Sequence, residues 1–588
     1  MPVTSVLAPT QVTGRDVATR WLDAFAVAVR AGDTDGAAEM FLPHGFWRDI
    51  LAGTWDLRTF EGREAIAQGL RSSALMTTAS ELRLEEAGFE VYERRNWGWS
   101  IEAFFLFETS IGWCRGHLRL LADSPDLSQW KAWTLLTTLE DLKGHEEKAG
   151  ARRPRGAHVA QGAAPVLPAA PVATDPEVIV VGAGHAGLSL AARLHHLGVG
   201  TLVVEKHPRI GDNWRTRYQS LVLHNEVWAN HLPYLPFPAT WPAYIGKDQL
   251  ADWLESYARI LGLDVRTGTG LVGAHHDDAT GRWTVELAGE DGGSVVVRPR
   301  HLVFATGVFG PAHRLAVPGT DVFSGDFLHA ADYRGNTWGP GTRALVVGSG
   351  SSAHDVAQDL AESGAQVTML QRGSTCVVSV DPGAARAYAI YREGGPPAED
   401  CDLVNNSFPL PLLAELHKDM TRRIADMDAD LLDGLRAAGF ALDFGEDGSG
   451  FLMKYHRHGG GYYINVGCSE LIVDGTIKVK QGVEIDHLEE REVVFTDGTS
   501  LPVDLVVVAA GFDNMSVTVQ QALGAEVARR VGPVWGLDEE GEVRAMWRRT
   551  GQPGFWLMGG SLQQCRPYSK YLALQIKGDL EGLVPSRA

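Results

Sequence analysis

A glycine-rich turn between a buried strand and a helix is the first place where this sequence could do chemistry. A strand is predicted over Val178–Val181, and Gly182, Gly184 and Gly187 follow it with the spacing G-x-G-x-x-G. The first glycine permits a tight turn, the second lets the backbone approach a pyrophosphate, and the third lets helix and strand pack closely. The next strand ends at Glu205, where a carboxylate can bind a ribose 2′-hydroxyl. The unit predicts a bound dinucleotide.

The same pattern occurs again later in the chain. Gly348, Gly350 and Ala353 follow a second predicted strand with the spacing G-x-G-x-x-A. Ser351 and Ser352 stand at the start of the helix that follows. Free N–H groups and the positive end of a helix dipole favour phosphates at such a position. We therefore assign both serines, with Gly348 and Gly350, to a second dinucleotide site.

The residue at the end of the next strand distinguishes the two sites. Gln371 stands where Glu205 stands in the first unit, and Arg372 follows directly. A carboxylate would repel a 2′-phosphate, whereas an arginine would pair with it. The second site is therefore predicted to favour NADP over NAD. Two different dinucleotide sites in one chain suggest electron transfer between FAD and NADPH.

Composition and charge exclude several classes of partner. The 588 residues are 45% hydrophobic and 21% charged, an ordinary globular balance. A formal net charge of -20 disfavours nucleic acid, whose phosphates an acidic surface repels. Five scattered cysteines without C-x-x-C argue against a disulfide framework, a metal site and a redox dithiol. No apolar run reaches the ~18 residues that span a membrane, so we expect a cytoplasmic protein without membrane contact.

The chain divides into an N-terminal unit and a larger core. Residues 1–150 show helical apolar spacing first and strand-like segments later, which predicts an α+β domain. Residues 151–175 are rich in Ala, Pro and Gly and predict a linker. We assign 176–338 and 475–588 to the FAD-binding domain. The NADP-binding domain, with a helical insertion, is predicted over 339–474.

A fingerprint lies between the two glycine-rich units. Phe323, Gly325, His329 and Tyr333 fit F-x-G-x-x-x-H-x-x-x-Y, which resembles the fingerprint of class B flavin monooxygenases. Tyrosine at its last position resembles the flavin-containing monooxygenases within that class. Trp214 closes G-D-N-W, which is similar to the family's flavin-binding segment G-G-x-W. The resemblance covers the chain from the first glycine-rich unit to its end.

The N-terminal extension resembles that of the type II flavin-containing monooxygenases, a nuclear-transport-factor-like cone. The resemblance implies an α/β fold in which this cone precedes two Rossmann-type domains, one for FAD and one for NADP. It also implies that NADPH, with NADH also tolerated, reduces FAD, and that O2 then forms a flavin hydroperoxide. A small organic substrate takes one oxygen atom, by Baeyer–Villiger oxidation of a ketone or by oxygenation of a sulfide or amine. We expect a homodimer.

The resemblance also implies residues beside the flavin. The family places an asparagine next to flavin and nicotinamide, and Asn225 is the candidate. Asn230 is the alternate, because the spacing from Asn225 to the following Pro-Phe-Pro differs by about one residue from that of the family. His329 is predicted to hold the segment between the domains rather than to act as a base. Tyr333 is predicted to serve the same hinge.

Three other functions share parts of this pattern. A disulfide reductase has the same two-dinucleotide architecture but needs a paired dithiol, which the sequence lacks. A decarboxylating monooxygenase of 2-oxo acids, similar to the plant auxin enzymes, would need a cation for the carboxylate. Arg217, Lys247 and Arg566 are the candidates for that cation. A non-catalytic flavin and NADPH redox sensor is the third alternative.

Overall fold

The structure is a computed structural model that describes residues 13–94, 96–124, 126–155, 176–290 and 292–584. The predicted linker lies mostly outside the described residues, and its first five residues, 151–155, are exposed. Within the described ranges, no helix is long and apolar enough to cross a membrane. The same ranges contain no cluster of side chains that could hold a metal ion.

The N-terminal domain packs three helices on one sheet. Its helices are α1 (Gly14–Arg30), α2 (Thr34–Glu39) and α3 (Gly62–Ser72). Its strands are β1 (Phe41–Ile50), β2 (Leu57–Glu61), β3 (Arg83–Leu84), β4 (Glu90–Arg94), β5 (Gly98–Glu108), β6 (Gly112–Ala122) and β7 (Trp130–Leu142). The sheet order is β2-β1-β7-β6-β5-β3, with β4 also paired to β5. Trp21 and Phe25 on α1 stack in the buried core.

The core begins with the first glycine-rich unit and a small meander. The elements of this part are β8 (Val178–Val181), α4 (His185–His196), β9 (Thr201–Val204), α5 (Asp212–Arg215), α6 (Lys247–Ile260), β10 (Val265–Arg266), β11 (Thr269–Asp277), β12 (Arg282–Gly289), β13 (Ser294–Val297) and β14 (His301–Phe304). The next part holds the second glycine-rich unit, in β15 (Phe309–Ala312), β16 (Asp326–His329), β17 (Arg343–Val347), α7 (Ser351–Glu362) and β18 (Gln366–Gln371).

A mostly helical insertion follows, between two strands that pair with each other. Its elements are β19 (Cys376–Ser379), α8 (Ala398–Asn406), α9 (Leu410–Met427), α10 (Ala429–Ala437), α11 (Gly450–His458), β20 (Tyr462–Asn465) and α12 (Cys468–Val473). The chain ends with β21 (Ile477–Gln481), β22 (Ile485–Leu488), β23 (Glu492–Phe495), β24 (Ser500–Pro502), β25 (Leu505–Val508), β26 (Phe512–Asn514), α13 (Met515–Leu523), α14 (Ala525–Val531), β27 (Phe555–Leu557) and α15 (Leu562–Leu580).

Two five-stranded parallel sheets form the core, as the two glycine-rich units predict. The first sheet has the order β10-β9-β8-β14-β27, and the second has the order β16-β25-β17-β18-β21. Every strand pair within both sheets is parallel. Parallel strands buried on both faces are apolar runs, as Val178–Val181 and Leu505–Val508 are.

The predicted boundaries between the two dinucleotide domains are wrong. Asp326–His329, Ile477–Gln481 and Leu505–Val508 were assigned to the FAD-binding domain, but their strands pair in the second sheet. Propensity identifies each strand, whereas sheet membership depends on pairing between residues far apart in sequence. The second domain therefore runs from near Ala312 to near Phe512, between β15 and β26.

The two crossings between these domains lie side by side. The chain leaves the first sheet after β14 through β15, and it returns from β25 through β26. The crossing strands β15 and β26 pair antiparallel, with Ala312 opposite Phe512. The rings of Phe309 and Phe512 stack at 5.7 Å across this pair. Both domain connections therefore pass through one short ribbon.

The N-terminal domain packs on the core of the same chain. Arg48 forms two 2.7 Å hydrogen bonds to the carboxylate of Glu542, and the two side chains are only 5% and 3% exposed. Arg48 also donates to the carbonyl of Asn406 and the hydroxyl of Tyr568. A second pair, Arg58–Glu540, is 35% and 32% exposed. A continuous apolar core extends through both domains.

Candidate active site

A cavity of about 1540 Å³ lies at the carboxyl ends of the two parallel sheets. Its wall includes the turns after β14, β17, β18 and β25, His185 at the start of α4, and parts of the helical insertion. Ligands of doubly wound folds bind outside the carboxyl ends of the strands. Pockets for one small ligand span roughly 300–1,000 Å³. The volume is therefore large enough for more than one ligand.

In the first glycine-rich turn, neither backbone conformation nor packing within the protein requires one of the three glycines to be a glycine. Gly182 has a φ of +109°, and a Cβ on Gly187 would lie 2.0 Å from the Gly182 carbonyl oxygen. Gly184 has an ordinary φ of -75°. A Cβ on Gly184 would meet a single protein atom within 4 Å, the side-chain nitrogen of Asn213 at 3.5 Å. The space beside Gly184 is therefore not filled by protein atoms and can accept a ligand.

The residues around this turn fit FAD. The Glu205 carboxylate accepts hydrogen bonds from the N–H groups of Ala183 and His207, both at 2.9 Å. The Trp214 indole N–H is buried, lines the cavity and has no hydrogen-bond partner among the described residues. The Nε2 of His185 faces the Gly560 carbonyl at 2.9 Å, which leaves its buried Nδ1 as an unpaired acceptor. Unsatisfied buried polar groups next to an open glycine are what a bound polar cofactor would satisfy.

The second turn repeats the arrangement. Gly348 has a φ of +125°, and a Cβ there would lie 2.5 Å from the Ala509 carbonyl oxygen. Gly350 has a φ of -86°, and a Cβ on it would come no closer than 3.9 Å to other protein atoms. Ser351 and Ser352 begin α7 and line the cavity. This turn fits the pyrophosphate of a nicotinamide dinucleotide.

The residues after β18 have separate tasks. Gln371 is fully buried, and its side chain makes two hydrogen bonds to the backbone of Ala441, at 2.9 and 2.7 Å. It therefore holds the helical insertion and faces no ligand. Arg372 lines the cavity with an 82% exposed side chain, 3.6 Å from the carboxylate of Glu484. Arg372 is free to reach a 2′-phosphate at the cavity mouth.

We expect Arg372→Ala to raise the KM for NADPH about tenfold and to leave the KM for NADH nearly unchanged. A charge-assisted hydrogen bond contributes about 1.5–3 kcal/mol. Because solvent screens charges at this exposed position, we expect a contribution at the lower end of that range. Glu484→Gln is the matched control, because it removes the carboxylate that competes for Arg372 and should not raise the KM for NADPH. Equal losses with both nucleotides in Arg372→Ala would contradict the assignment.

Both candidate asparagines line the cavity, but their side chains differ. Asn230 is 2% exposed, and its amide donates to the carbonyl of Asn225 at 2.9 Å. The Asn225 side chain is half-buried and lies beside Tyr388, whose pKa is raised by burial and lowered in part by Asn225. Asn230 therefore supports the local backbone. Asn225 is the better candidate for contact with a ligand.

The fingerprint residues His329 and Tyr333 belong to the second dinucleotide domain. The Nε2 of His329 lies 3.0 Å from the carbonyl oxygen of Gly511, which precedes β26, and its Nδ1 accepts from the Ala331 N–H. Both ring nitrogens are thus engaged, and burial lowers the pKa of His329. The Tyr333 hydroxyl donates to Asp359 on α7 at 2.5 Å. His329 thus contacts the segment just before the crossing strand β26, whereas the Tyr333 contact lies within the second domain. The hinge role stays a prediction for both residues.

Two of the three candidate carboxylate-binding cations are wrong. Lys247 donates to the Arg215 carbonyl and to Asp248, and it does not line the cavity. Arg566 is 1% exposed, and its guanidinium donates hydrogen bonds to Asp402 and to two backbone carbonyls. The partners of both come from distant segments, so sequence could not reveal them. Arg217 does line the cavity and has no carboxylate partner among the described residues.

Comparison with known proteins identifies the family. A family model described as pyridine nucleotide-disulphide oxidoreductase matches residues 179–385. Indole-3-pyruvate monooxygenase YUCCA1 of Oryza sativa subsp. japonica is 32% identical over 338 residues, which is 57% of this chain and 77% of that protein. The chain belongs to the class B flavin monooxygenases. A solved steroid monooxygenase bound to NADP has the same fold, with a TM-score of 0.51 and 22% identity over 70% of this chain and 85% of that one.

The flavin monooxygenase has no redox dithiol. All five cysteines are free and buried, and they lie on five different elements: β6, β19, α8, α12 and α15. Burial raises the pKa of Cys376 to about 12 and that of Cys401 to about 11. Neutral, unpaired thiols cannot carry disulfide exchange. The disulfide reductase is therefore excluded, and membership of an enzyme family sets aside the redox sensor.

Sequence analysis missed the part of the flavin monooxygenase cavity that lies beside Asn225. We name it the tyrosine compartment, and it consists of Tyr388, Phe451, Tyr455, Tyr462 and Leu562. Burial raises the pKa of Tyr455 and Tyr462, and nearby Tyr388 adds to both shifts. The Phe451 and Tyr462 rings lie 6.0 Å apart. The run Gly459–Gly461 before Tyr462 was the one local signal. Its partners come from the helical insertion and α15, and no motif connects these segments.

Proposed function

We propose that this FAD- and NADPH-dependent monooxygenase inserts one oxygen atom of O2 into a neutral, largely apolar substrate. The reaction is Baeyer–Villiger oxidation of a ketone or oxygenation of a sulfide or amine. The observation that carries the proposal is the tyrosine compartment next to Asn225. Its wall is aromatic and aliphatic, and its polar atoms are phenolic hydroxyls.

The charges around the compartment favour a neutral substrate. Burial raises the pKa of Tyr388, Tyr455 and Tyr462, so the three phenols stay neutral near pH 7. Lys454 lines the same cavity, but it donates to both carboxylate oxygens of Asp443 at 2.7 Å. A carboxylate in the tyrosine compartment would lose its hydration, and Lys454 would not offer it a free counter-charge, whereas a carbonyl needs one donor.

The protein's contribution to the reaction is position and exclusion of water. When bound, NADPH supplies a hydride and FAD supplies the reaction of reduced flavin with O2. Gly184 and Gly350 leave space for the two pyrophosphates. Asn225 offers an amide donor whose charge does not change near neutral pH. The apolar wall of the tyrosine compartment keeps competing water from the reacting atoms.

Asn225→Ala is expected to release more H2O2 per NADPH consumed, roughly tenfold, while the rate of flavin reduction stays nearly unchanged. Loss of one hydrogen bond of about 1.4 kcal/mol to the reacting oxygen gives that factor. Hydride transfer depends instead on how the two rings stack. The measurement combines H2O2 and NADPH assays with stopped-flow flavin reduction. Asn230→Ala is the control: if it leaks peroxide and Asn225→Ala does not, the role belongs to Asn230.

The substrate class is tested with a panel and labelled oxygen. A cyclic ketone, an aryl sulfide, a tertiary amine and an aromatic 2-oxo acid are each incubated with NADPH under 18O2. We expect one labelled oxygen atom in the product of at least one neutral substrate. If the 2-oxo acid alone supports NADPH consumption and releases CO2, the neutral-substrate proposal fails.

A decarboxylating monooxygenase of a 2-oxo acid is the second candidate. Two observations favour it: the 32% identity to an indole-3-pyruvate monooxygenase and the Arg217 side chain in the cavity. Arg217 lies over the Trp214 ring at 4.5 Å and donates to the Asn213 carbonyl at 3.2 Å. Under this alternative, Arg217→Ala would raise the KM for the 2-oxo acid and leave that for a sulfide unchanged.

We further propose that residues 1–150 form a nuclear-transport-factor-like cone with a structural role, and that the protein is a cytoplasmic homodimer that also accepts NADH. The helix-then-strand order and the buried interface with the core support the structural role. Light scattering of the purified chain measures the oligomeric state. Activity with NADH beside NADPH measures cofactor tolerance.

A further inference from the structure

The backbone around Asn230 is held by a side chain from α15. Arg566 donates through one guanidinium nitrogen to the carbonyls of Ala229, at 3.0 Å, and His231, at 2.8 Å. These two residues flank Asn230, whose amide in turn donates to the Asn225 carbonyl at 2.9 Å. Arg566 therefore fixes the segment 225–231 from outside the cavity.

Arg566 is itself oriented by α8. Its other nitrogens form two 2.7 Å hydrogen bonds to the carboxylate of Asp402, which is 4% exposed. The Tyr391 hydroxyl also donates to Asp402 at 2.7 Å, and it accepts from Asn405 and Gln563. A planar bidentate pair allows the guanidinium one orientation. The position of α8 thus sets the position of Arg566.

Contacts from the N-terminal domain fix both ends of α8. In its first turn, Asp400 accepts from Arg115 of β6 at 2.7 Å, and Glu85 holds the same arginine from the other side. Just beyond its last turn, the Phe408 ring lies 3.8 Å from the guanidinium of Arg119. Leu412 packs in one apolar cluster with residues of β1 and β7.

We propose that the N-terminal domain positions the Asn225 segment through α8, with Asp400, Asp402 and Arg566 as positioning residues. The inference rests on the proposed role of Asn225. The connection is a continuous set of hydrogen bonds and ion pairs: Arg115 to Asp400, α8 itself, Asp402 to Arg566, and Arg566 to the carbonyls around Asn230. The N-terminal domain thereby affects oxygen transfer, although none of its described residues lines the cavity.

The test uses variants at the interface between the domains and one conservative variant of the buried Arg566. Asp400→Asn removes the charge that attracts Arg115, while Arg115 keeps Glu85. Asp400→Glu keeps the charge and serves as the rescue variant. Glu540→Gln is the matched control, because it breaks another ion pair between the same two domains, Arg58–Glu540, without touching α8. Arg566→Lys keeps the charge beside Asp402 and gives up the double contact to the two carbonyls.

Three measurements are made on the holoenzyme. They are amide hydrogen exchange of peptides covering 224–232, the ratio of H2O2 formed to NADPH consumed, and the rate of flavin reduction. For Asp400→Asn and Arg566→Lys we expect faster exchange in that segment and at least about a threefold rise in the peroxide ratio. The rate of flavin reduction should stay near the wild-type value in all variants. Asp400→Glu and Glu540→Gln should also keep the wild-type exchange rate and peroxide ratio.

The outcomes separate this inference from the role of Asn225. Unchanged exchange in Asp400→Asn and Arg566→Lys would overturn the connection. Faster exchange with an unchanged peroxide ratio, while Asn225→Ala does leak peroxide, would overturn its functional part. If exchange is faster and neither the positioning variants nor Asn225→Ala leak peroxide, the connection holds and the proposed role of Asn225 fails.

Discussion

Glu542→Gln is expected to destabilise the protein by about 3–5 kcal/mol, because it leaves the buried Arg48 guanidinium without its counter-charge. The pair is nearly inaccessible to solvent, with side chains 5% and 3% exposed. The neutral amide can accept one hydrogen bond from Arg48 but cannot balance its charge. The measurement is the apparent unfolding midpoint in urea and on heating, which should fall by several degrees in the thermal experiment.

The adjacent pair provides the control for this expectation. Glu540→Gln breaks Arg58–Glu540, whose side chains are 35% and 32% exposed, and should cost less than about 1 kcal/mol. Replacing both members of the buried pair, as Arg48→Met with Glu542→Leu, should recover much of the loss because no charge is left buried. Equal destabilisation by Glu542→Gln and Glu540→Gln would show that burial does not set the strength of this interface.

The second large effect is the selective loss of affinity for one cofactor at a time. Gly184→Val should reduce FAD affinity by at least about a hundredfold, because its side chain would occupy the space open to the pyrophosphate. Gly350→Val should leave FAD bound and reduce affinity for NADPH to a similar extent. The φ angles of -75° and -86° suit valine, so neither change strains the backbone. FAD binding is followed by flavin absorbance and fluorescence, and NADPH binding by titration of the FAD-loaded protein.

A further variant tells ligand loss from misfolding. Gly187→Ala places a Cβ 2.0 Å from the Gly182 carbonyl oxygen, so it should lower the unfolding midpoint whether or not FAD is present. Gly184→Val should instead leave the midpoint of the cofactor-free protein unchanged. If Gly184→Val keeps FAD, or Gly350→Val loses it, the assignment of the two turns is reversed or incorrect.

Local sequence was sufficient to find the two dinucleotide units. Each has a strand, a turn, a helix and a second strand within about thirty residues, and each turn has glycines for reasons of backbone geometry alone. Gly182 and Gly348 have the positive φ angles that such turns require. Helices and strands of the N-terminal domain were predictable for the same reason, since hydrophobic spacing is a property of neighbouring residues.

The failures concern partners that are distant in sequence. Asp326–His329 and Leu505–Val508 each predict a strand, but nothing local says that they pair with each other. Arg566 was a candidate for substrate contact until the structure showed Asp402, 164 residues earlier, beside it. A surface arginine and a buried one look alike in sequence, because burial is decided by the elements that pack around it.

The tyrosine compartment was not predicted from the sequence, because its residues are also distant from one another in the chain. Tyr388 follows β19, Tyr455 lies on α11 and Leu562 begins α15. The helical insertion has amphipathic helices but no motif, so its contribution to a cavity is visible only after folding. Asn225, by contrast, could be proposed because a family pattern points to it, although its spacing to Pro-Phe-Pro differs by about one residue from that of the family.

The paired crossings β15 and β26 make the second dinucleotide domain a domain insertion. Its first and last residues, near Ala312 and Phe512, are opposite each other on adjacent strands, which places their Cα atoms about 5 Å apart. If the chain were cut at these two points and the second domain removed, the two remaining ends could be joined at little cost in loop entropy. The domain could therefore be exchanged between related enzymes by two splices in one ribbon, which would transfer nucleotide preference and leave the FAD-binding sheet continuous.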